Sequence, residues 1–481
     1  MNETQINAIV EQVVRRLSSE LGALPSSSNA APAPARQQQQ APAYHRGRVG
    51  VFDDIDSAVA AARVAFEAWG HTSIETRMKV VEAMREATRR LATELATMAV
   101  TETKLGNVKD KIAKNLLCAN KTPGPEILRP LAYSGDFGMA LIERAPFGVI
   151  GAITPTTNPT ETIINNSIGM ISGGNAVVFN VHPSAKNVSN HFVVMINEAI
   201  VSAGGPPNLI CSMAEPTIES AGVLMKHKGV RLLCVTGGPA VVKAAMTSGK
   251  RAIGAGPGNP PAVVDASADL AQAASDIVDG ASLDNNIVCI VEKEIFAVAS
   301  IADQLKAEMA KVGAFEVTGA AINKLEKLVV EDGHPAKDWV GRDATKIAEA
   351  AGLRVPSGTR LLFAEVDPTH AFIQAELLMP VIGFSRLKTV EDCIAAAIQA
   401  EHGFGHTATM HSTNVNHLHE MAKVINTSIF VKNGPSFAGL GLRGEGYTSF
   451  TIASPTGEGL TTALSFTRER RCTLKDAFRI V

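Results

Sequence analysis

The sequence predicts an α/β fold in which a Rossmann-type, doubly wound parallel sheet is followed by a second α/β unit. Residues 149–181 read as strand, loop, helix, glycine turn and strand, the pattern of a βαβ crossover with parallel neighbouring strands. The same alternation continues to residue 248, as in nucleotide-binding domains. Aromatic residues make up only 5% of the chain and small aliphatic residues are abundant, which suits closely packed helices and sheets.

Length and composition argue against several classes of protein. A chain of 481 residues is too long for one small core and predicts about two or three domains. The net charge of −2 offers no basic surplus for nucleic acid or a membrane surface. No apolar run is long enough to predict a transmembrane helix, and the N-terminus lacks the pattern of a secretory signal. The six cysteines are scattered without CxxC spacing, which predicts free thiols in a reducing cytosol and no structural zinc.

Residues 1–21 form an amphipathic helical pattern on a tether. Seven aliphatic residues between Ile6 and Leu21 recur at helical spacing, with charged and amide side chains on the other face. Residues 22–47 are rich in Pro, Ala and Gln and predict a disordered linker. The apolar stripe must be covered by the body of the protein or by a partner surface, through helix-in-groove packing. The mixed sign of the polar face argues against a membrane surface.

The first α/β domain is predicted over residues 48–253. Its helices begin with 56–69, capped by Asp54 or Asp56, and 76–100, with further helical sequence to about residue 119. A turn and a buried strand are predicted within 141–153. The remaining predicted elements are helix 160–172, strand 176–181, helix 184–204, strand 209–213, helix 216–226, strand 232–235 and helix 240–248.

A second α/β domain is predicted over residues 254–433. Its elements are strand 262–264, helix 270–281, helix 301–312, helix 343–351, strand 361–364, a strand near 384–386 and helix 390–399. Residues 434–481 end in strand-like sequence with a basic cluster at Arg468, Arg470 and Arg471, interpreted as a solvated or subunit-facing surface.

Two glycine-containing turns are candidates for a cofactor site. Thr236, Gly237 and Gly238 lie between a predicted strand and a helix N-terminus, where a pyrophosphate or nicotinamide is favoured, although a tight turn with no ligand fits as well. Residues 254–258, Gly-Ala-Gly-Pro-Gly, are weaker evidence, because a domain-crossing turn explains them too.

Cys289 is the candidate nucleophile. It ends the run Ser282-Leu283-Asp284-Asn285-Asn286-Ile287-Val288 and precedes an apolar segment interpreted as a buried strand. At such a junction, backbone N–H groups can lower a thiol pKa and hold an oxyanion. The alternative is that Cys289 is a small buried hydrophobe, as free cysteines commonly are.

These motifs, taken in order, resemble the aldehyde dehydrogenase superfamily over about residues 48–481. The segments T-P-T-T-N-P, S-L-D-N-N-I-V-C, G-H-T-A and P-T-G-E-G resemble its coenzyme A-acylating branch, as found in propionaldehyde and acetaldehyde dehydrogenases of bacterial microcompartments. In that branch, an N-terminal helix on a Pro/Ala-rich tether directs the enzyme into the shell. The resemblance implies a cytoplasmic enzyme inside a microcompartment, with residues 2–21 binding shell proteins.

The resemblance also implies roles for individual residues. Cys289 matches the nucleophile and Asn158 the oxyanion-hole amide, whose alternative is a loop-capping asparagine. Glu376 matches the carboxylate that holds the nicotinamide ribose. His406 is a candidate base for the coenzyme A thiol, or else a structural histidine. The other positions implied to contact NAD are Ile153, Thr154, Pro155, Thr156, His182, Pro183, Thr236, Gly237, Gly238, Ala255, Gly256 and Leu378.

Two departures from the superfamily pattern bear on the reaction. Hydrolytic members carry a glutamate where this chain has Ala255, so the general base that activates water against a thioester is missing. This favours acyl transfer to coenzyme A over acid production by a hydrolytic aldehyde dehydrogenase. At His182 and Pro183 the residues that commonly contact the adenosine ribose are replaced. The sequence therefore specifies a preference for NAD over NADP less strongly.

The remaining expectations concern substrate, assembly and metals. The resemblance implies a short aliphatic aldehyde, propanal before acetaldehyde, and a homodimer or homotetramer assembled through residues 125–145 and 445–481. A non-catalytic shell-binding protein is disfavoured by the intact set of Cys289, Asn158 and Glu376. His411, His417 and His419 lack the spacing of a closed metal site and are interpreted as a polar helix surface.

Overall fold

The computed structural model describes residues 49–481. The predicted helix at 2–21 and the linker at 22–47 lie outside the described residues. Within the described chain, no helix combines the length and the apolarity that crossing a membrane requires. All six cysteines are free thiols, as predicted.

The first half of the described chain alternates strands and helices. The predicted helices and the four predicted strands are present, whereas the strands at 51–52, 131–135, 138–146 and 251–255 were not predicted. The elements are β1 (Val51–Phe52), α1 (Ile55–Gly70), α2 (Ile74–Thr103), α3 (Val108–Lys121), β2 (Leu131–Gly135), β3 (Gly138–Pro146), β4 (Val149–Ile153), α4 (Pro159–Ser172), β5 (Ala176–Asn180), α5 (Lys186–Ser202), β6 (Ile210–Met213), α6 (Ile218–Lys226), β7 (Val230–Thr236), α7 (Pro239–Met246) and β8 (Arg251–Ala255). Asp54 caps α1 by accepting the Ser57 N–H at 2.7 Å, and Asn107 caps α3 through the Asp110 N–H at 2.9 Å.

Six of these strands form one parallel sheet in the order β1-β6-β5-β4-β7-β8. The predicted crossover β4-α4-β5 is confirmed, with Val149 to Ile153 paired in register with Ala176 to Asn180. After β6 the chain returns to the other side of β4, so the strand order reverses between β4 and β7. In open α/β sheets, ligands bind outside the carboxyl ends of the strands at such a reversal.

The second half builds another parallel sheet. Its elements are β9 (Pro261–Val264), α8 (Leu270–Ser282), β10 (Glu294–Val298), α9 (Ala302–Lys311), β11 (Ala314–Glu316), α10 (Ala320–Val329), β12 (Val330–Glu331), β13 (His334–Pro335), α11 (Ala344–Ala350), β14 (Leu361–Glu365), α12 (Ala371–Gln374), β15 (Val381–Leu387), α13 (Val390–Ala400), β16 (Thr407–His411), α14 (Val415–Val424), β17 (Ile429–Lys432), β18 (Ile452–Ala453), β19 (Gly459–Leu460) and β20 (Thr467–Lys475). The seven-stranded order is β11-β14-β15-β10-β9-β16-β17.

A third, antiparallel sheet joins the two segments that the resemblance assigned to oligomerisation. β3 pairs with β2 on one side and with β20 on the other. Several large apolar side chains of this region are exposed, including Leu131, Tyr133 and Phe137. The basic cluster of residues 468–471 lies on β20, mostly exposed, as its interpretation as a surface predicted.

Two local predictions need correction. The buried strand predicted after Cys289 is present as β10, in the apolar run that begins at Ile295, but the apolar pair Ile290 and Val291 before it lies in a turn and bend. Residues Gly254 and Ala255 end strand β8 instead of lying in a turn, because β8 pairs along its length with β7. The chain therefore passes directly from the edge of the first sheet through residues 256–260 into β9 of the second.

Candidate active site

The predicted catalytic residues lie on loops at one edge of each parallel sheet. β4, β7 and β8 end at Ile153, Thr236 and Ala255, the carboxyl edge of the first sheet. In the second sheet, the loops that precede β9, β10, β15 and β16 carry Gly258, Cys289, Glu376 and His406, so these residues lie at its amino edge. The site is thus built between the two sheets from segments that are far apart in sequence.

Three left-handed residues shape the loop before Cys289. Asp284, Asn285 and Asn286 have φ of 48°, 55° and 65°. Asp and Asn are the residue types besides glycine that adopt this conformation most readily. The Asn286 amide donates to the carbonyls of Ala281 and Glu292 at 2.7 and 3.0 Å, so the turn is fixed by side-chain bonds as well as by its backbone.

The nucleophile loop is anchored in the core of the first domain. Val288, Ile290 and Val291 are buried in the same cluster as strands β4 to β8. Cys289, between them, remains partly exposed. A residue that stays partly accessible between two buried neighbours suits a nucleophile, although Cys289 also packs against this apolar cluster.

The expectation that the surroundings lower the thiol pKa was wrong in sign. Burial raises the pKa of Cys289 to about 12, the Glu376 carboxylate adds to this, and Lys293 only partly opposes it. Desolvation disfavours the thiolate more than nearby N–H groups and cations favour it. Cys289 is therefore a neutral thiol in the free protein at neutral pH.

Gly258 brings three predicted site residues into contact. A Cβ on this residue would lie 2.8 Å from Cγ of His406 and 2.9 Å from the carbonyl oxygen of Cys289. Its N–H donates to the Glu376 carboxylate. The backbone of Gly258 thus fills the space between the histidine ring and the nucleophile loop, which only a residue without a side chain can do.

Burial sets the protonation of the groups around the thiol. It raises the pKa of Glu376 to about 7, against the effects of Lys293 and the Gly258 N–H. It lowers the pKa of Lys293 to about 8 and that of His406 to about 4. At neutral pH, Lys293 is charged, His406 is neutral and Glu376 is close to its midpoint. Perturbed groups clustered around one thiol are a mark of a functional site.

Lys293 and His406 are held in defined orientations. Lys293 donates to the carbonyl and side-chain oxygens of Asn286 at 2.7 and 2.6 Å, which closes the nucleophile loop. Nδ1 of His406 lies 2.9 Å from Oγ1 of Thr407. If Nδ1 donates this bond, Nε2 is left as an acceptor, and Nε2 is buried with no hydrogen-bond partner within the described chain.

Asn158 does not act as a helix cap. It occupies the N-cap position of α4, but its side chain makes no capping hydrogen bond. Instead its Oδ1 accepts from Nζ of Lys114 at 2.5 Å, and its Nδ2 lies 3.2 Å from Oγ1 of Thr157. The alternative of a loop-capping asparagine is wrong, and one N–H of the amide is left for another acceptor.

The residues expected to contact NAD form two groups. Ile153 to Thr156 follow β4, and Thr236 to Gly238 follow β7, on either side of the strand reversal. The hydroxyls of Thr154 and Thr156 are buried and have no hydrogen-bond partner in residues 49–481. Gly238 precedes α7, and a Cβ there would meet nothing within 4 Å. Free polar atoms and open space at a helix N-terminus fit a dinucleotide.

The other expected contacts lie around these two groups. His182 and Pro183 follow β5, the strand beside β4, and the N–H of Ser184 donates to the His182 ring. Gly256 follows Ala255, and a Cβ there would make a tight contact of 3.3 Å with Cγ of Pro455. Leu378 has a φ of 54° and its carbonyl accepts the Gly341 N–H. The Gly341 carbonyl in turn accepts from the Asn285 amide of the nucleophile loop.

Sequence reasoning missed the charged residues behind the site. Lys111 and Lys114 on α3, Glu161 on α4 and Asp284 before the nucleophile are all buried and form ion pairs with one another. The sequence held only a weak sign of their burial. Lys111, Lys114 and Cys118 share one helical face, and apolar residues at the two lysine positions would have predicted a buried face.

The three histidines considered for a metal are not one surface. His417 and His419 lie on α14, as interpreted, but His411 is a buried residue of β16. Burial lowers the pKa of His411 to about 4. Across residues 49–481, the histidines, cysteines and carboxylates form no cluster of three or more suited to a metal ion.

Sequence and structural relatives are similar over most of the chain. The model of the Aldehyde dehydrogenase family matches residues 34–319. The acetylating acetaldehyde dehydrogenase of Escherichia coli is 50% identical over 452 residues, 92% of this chain and 96% of that protein. The CoA-propanoylating propanal dehydrogenase of Salmonella typhimurium is 44% identical over 442 residues, 92% of this chain and 95% of that protein. A propionaldehyde dehydrogenase from the fucose utilisation microcompartment of Clostridium phytofermentans has a TM-score of 0.89 at 48% identity, covering 90% of this chain and 100% of that chain.

Proposed function

The chain belongs to the aldehyde dehydrogenase family, and we propose that it oxidises a short aliphatic aldehyde to an acyl-CoA with NAD and coenzyme A. The balanced reaction is aldehyde, NAD⁺ and coenzyme A to acyl-CoA, NADH and a proton. Close relatives are named for this acylating reaction. The fold and the groups around Cys289 support it.

The acylation half needs a nucleophile, an oxyanion donor and a hydride acceptor. Cys289 forms a carbon–sulfur bond to the aldehyde carbonyl, and the Asn158 amide, with the Cys289 N–H, donates to the resulting oxyanion. NAD⁺, when bound, would supply the hydride acceptor that oxidation of the adduct to a thioester requires. Glu376, Thr236 and Gly238 would hold it beside the nucleophile, with the residues that follow β4.

Ionisation of Cys289 is the step that the neighbouring groups must assist. The thiol is neutral in the free protein, so its proton has to leave when the aldehyde binds. Glu376 has a pKa of about 7 and acts on the Cys289 thiol electrostatically. It is therefore the carboxylate best suited to assist the loss of the thiol proton. His406 is neutral, and its unpartnered Nε2 is suited to accept the proton of the coenzyme A thiol.

The presence of alanine at position 255 is the main support for acyl transfer to coenzyme A in the second half of the reaction. By the family resemblance, the methyl group of this alanine stands where hydrolytic members carry a glutamate. Ala255 is buried at the end of β8 beside Thr236. With no carboxylate at this position, water lacks the base that would cleave the thioester. Coenzyme A, which carries its own thiol, then removes the acyl group from Cys289.

NADH formation from propanal and NAD⁺, with and without coenzyme A, tests this proposal. Coenzyme A dependence with propionyl-CoA as the product by mass analysis is the expected result, and Cys289→Ala should abolish it. Equal turnover without coenzyme A, giving propionate, would show that water reaches the thioester and that the reading of Ala255 is wrong.

The preferred aldehyde is proposed to be propanal, with acetaldehyde as the second candidate. The similar solved structure is named for propionaldehyde, whereas the acetaldehyde enzyme of Escherichia coli has the higher sequence identity, 50% against 44% for the propanal enzyme. One methylene in an apolar pocket changes kcat/KM by roughly 10- to 200-fold. The ratio of kcat/KM for the two aldehydes therefore decides between them.

Residues 2–21 are proposed to place the enzyme inside a bacterial microcompartment through shell proteins. The support is the amphipathic pattern on a Pro/Ala-rich linker and the microcompartment origin of the similar structure. Deleting residues 2–21 should leave activity unchanged and abolish co-purification with shells. Loss of activity would instead place the helix on the body of the enzyme.

We further propose a homodimer or homotetramer assembled through the third sheet. Its strands β2, β3 and β20 come from the two segments implied by the resemblance, and Phe137 and Tyr133 leave large apolar surfaces exposed there. Light scattering on the full chain, compared with a Phe137→Asp/Tyr133→Asp variant, measures the state. If the variant has the same mass as the wild type, this sheet does not form the subunit interface.

A further inference from the structure

A buried cluster of four charged side chains lies behind the nucleophile loop. Lys111, Lys114, Glu161 and Asp284 are each at most 1% exposed. Nζ of Lys114 lies 2.6 Å from Oδ2 of Asp284 and 3.1 Å from Oε1 of Glu161. Nζ of Lys111 lies 2.9 Å from the same Asp284 oxygen. Two ammonium groups face two carboxylates, so the formal charges balance in a dry environment where an unpaired charge is costly.

Lys114 alone in this cluster reaches the proposed oxyanion donor. Its ammonium group carries three donors and no acceptor, and it faces three oxygens: those of Asp284, Glu161 and the Asn158 amide at 2.5 Å. Turning the Asn158 amide over would place its NH₂ group against the ammonium. Lys114 therefore fixes which end of the amide faces away from it, and the end that faces away is the Nδ2 donor.

The same cluster is tied to the nucleophile loop. Oδ1 of Asp284 accepts the Asn107 N–H at 2.8 Å, and the Asp284 N–H donates to Asp110 at 2.7 Å. Gly106 packs against this carboxylate, since a Cβ there would lie 2.0 Å from Oδ1. Asp284 thus joins the start of α3 to the loop that carries Cys289, and Lys114 joins that loop to Asn158.

The charges on Lys114 and Asp284 persist at neutral pH, whereas burial lowers the pKa of Lys111. Burial acts to lower the pKa of Lys114, but the carboxylates of Asp284 and Glu161 outweigh it and raise the pKa. Burial acts to raise the pKa of Asp284, and the two lysines outweigh it in turn, so that its pKa is lowered. Lys114 remains an ammonium and cannot accept a hydrogen bond from the amide.

We propose that Lys114 is a positioning residue for the oxyanion donor, holding the Asn158 amide by its oxygen so that Nδ2 faces the reacting carbonyl. This rests on the proposed function, in which Asn158 serves the Cys289 adduct. Asp284 sets the distance between the two because it binds Lys114 and belongs to the nucleophile loop. The role extends the site to a helix, α3, that carries no residue of the reacting centre.

Single-turnover kinetics on Lys114→Met, Asn158→Ala and the double variant test the proposal. The rate constant of the NADH burst at saturating NAD⁺ and propanal should fall about tenfold to a hundredfold in Lys114→Met, because a misplaced donor loses most of its effect. In the Asn158→Ala background, the same change should cost less than about threefold, since no amide remains to be positioned. Equal losses in both backgrounds would overturn the proposal.

Alkylation of Cys289 separates positioning of the donor from activation of the thiol. Iodoacetamide reacts with the thiolate without forming an oxyanion. Lys114 has the smallest of the effects on the pKa of Cys289, which it lowers, so Cys289 in Lys114→Met should be alkylated only slightly more slowly than in wild type, measured on the Cys289 peptide by mass. A fall in alkylation as large as the fall in burst rate would mean that Lys114 acts on the thiol, which would also overturn the proposal.

Two further variants control for charge and folding. Lys111→Met removes a buried cation of the same cluster that donates to the Thr157 carbonyl, not to the Asn158 amide, and should reduce the burst rate less than Lys114→Met. Lys114→Met/Glu161→Gln removes one charge of each sign, so it should fold even if Lys114→Met does not, and it must show the same reduced burst. If Asn158→Ala itself keeps the wild-type burst, the oxyanion assignment fails, an outcome distinct from failure of the positioning role.

Discussion

Substituting Gly258 by alanine is expected to damage catalysis through a clash that the structure locates. The new Cβ would lie 2.9 Å from the Cys289 carbonyl oxygen and 2.8 Å from Cγ of His406, whereas ordinary contact begins at 3.4 Å. Neither neighbour can give way easily. The carbonyl belongs to a loop fixed on both sides, and the buried His406 ring is held by Thr407.

The size of the effect follows from these distances. Relieving the overlap requires a shift of about half an ångström on each side of Gly258, and misplacement of about 1 Å at a reacting centre costs on the order of 10²-fold in rate. We expect the NADH burst to slow by about tenfold or more. Overpacking of a buried site typically costs about 1–3 kcal/mol of stability, which leaves the protein folded.

The assay is the burst rate constant, together with the apparent Tm. Gly222→Ala is the matched control, because a Cβ at Gly222 in α6 meets nothing within 4 Å. This variant should keep its activity, and its Tm should stay level or rise slightly, since alanine favours a helix over glycine. Wild-type burst kinetics in Gly258→Ala, with an unchanged Tm, would refute the close approach of His406 and the nucleophile loop across this glycine.

Three other variants test the site and its protonation. Asn158→Ala should slow the burst about 10²- to 10³-fold, as expected for one oxyanion donor; a smaller loss than tenfold would argue against that role. Burial raises the pKa of Glu292 to about 7, so this group's contribution to stability is lost as pH rises from about 4.5 to 7. The free energy of unfolding of Glu292→Gln should therefore rise by about 3 kcal/mol relative to wild type across that interval. This would be seen as a Tm difference that grows with pH. The pKa of His411 is lowered to about 4, so its contribution is lost as pH falls from about 6.5 to 4. His411→Gln should become relatively more stable on acidification, and parallel Tm profiles for variant and wild type would contradict this.

Local pattern was enough to predict the four central strands of the first sheet, β4 to β7, and their connections, but not its edge strands β1 and β8. The β4-α4-β5 crossover and the helix boundaries follow from apolar periodicity and cap residues such as Asp54. Ile290 and Val291 were misassigned because a short apolar run does not distinguish a strand from a buried turn. Here the three left-handed residues before Cys289 fix a turn. The run of Asp and Asn was the one local sign of it.

The site could be predicted only where a motif carried it. Cys289, Asn158 and Glu376 were identified by resemblance, whereas Lys114 was not, since a lysine in a helix is normally solvated. Lys114 can be buried because Asp284 pairs with it, and Asp284 is far away in the sequence. The hydrogen bond that Lys111 makes to the same carboxylate spans 173 residues. The sign of the Cys289 pKa shift was missed for a similar reason. Desolvation comes from the packing of two domains, which no local sequence pattern contains.

The carboxyl groups near Cys289 bear directly on whether water can cleave its thioester. Absence of a glutamate at Ala255 would mean little if another carboxylate could act as the base. Burial raises the pKa of Glu294 well above its usual value, so Glu294 is a neutral acid that cannot accept a proton at pH 7. Glu401 accepts the His406 N–H at 2.8 Å and is committed to that loop. Glu292 and Glu376 both have a pKa of about 7. The Glu292 carboxylate accepts the N–H and the hydroxyl of Ser436, whereas Glu376 accepts the Gly258 N–H and acts electrostatically on the Cys289 thiol. Any slow hydrolysis without coenzyme A should therefore depend on Glu376.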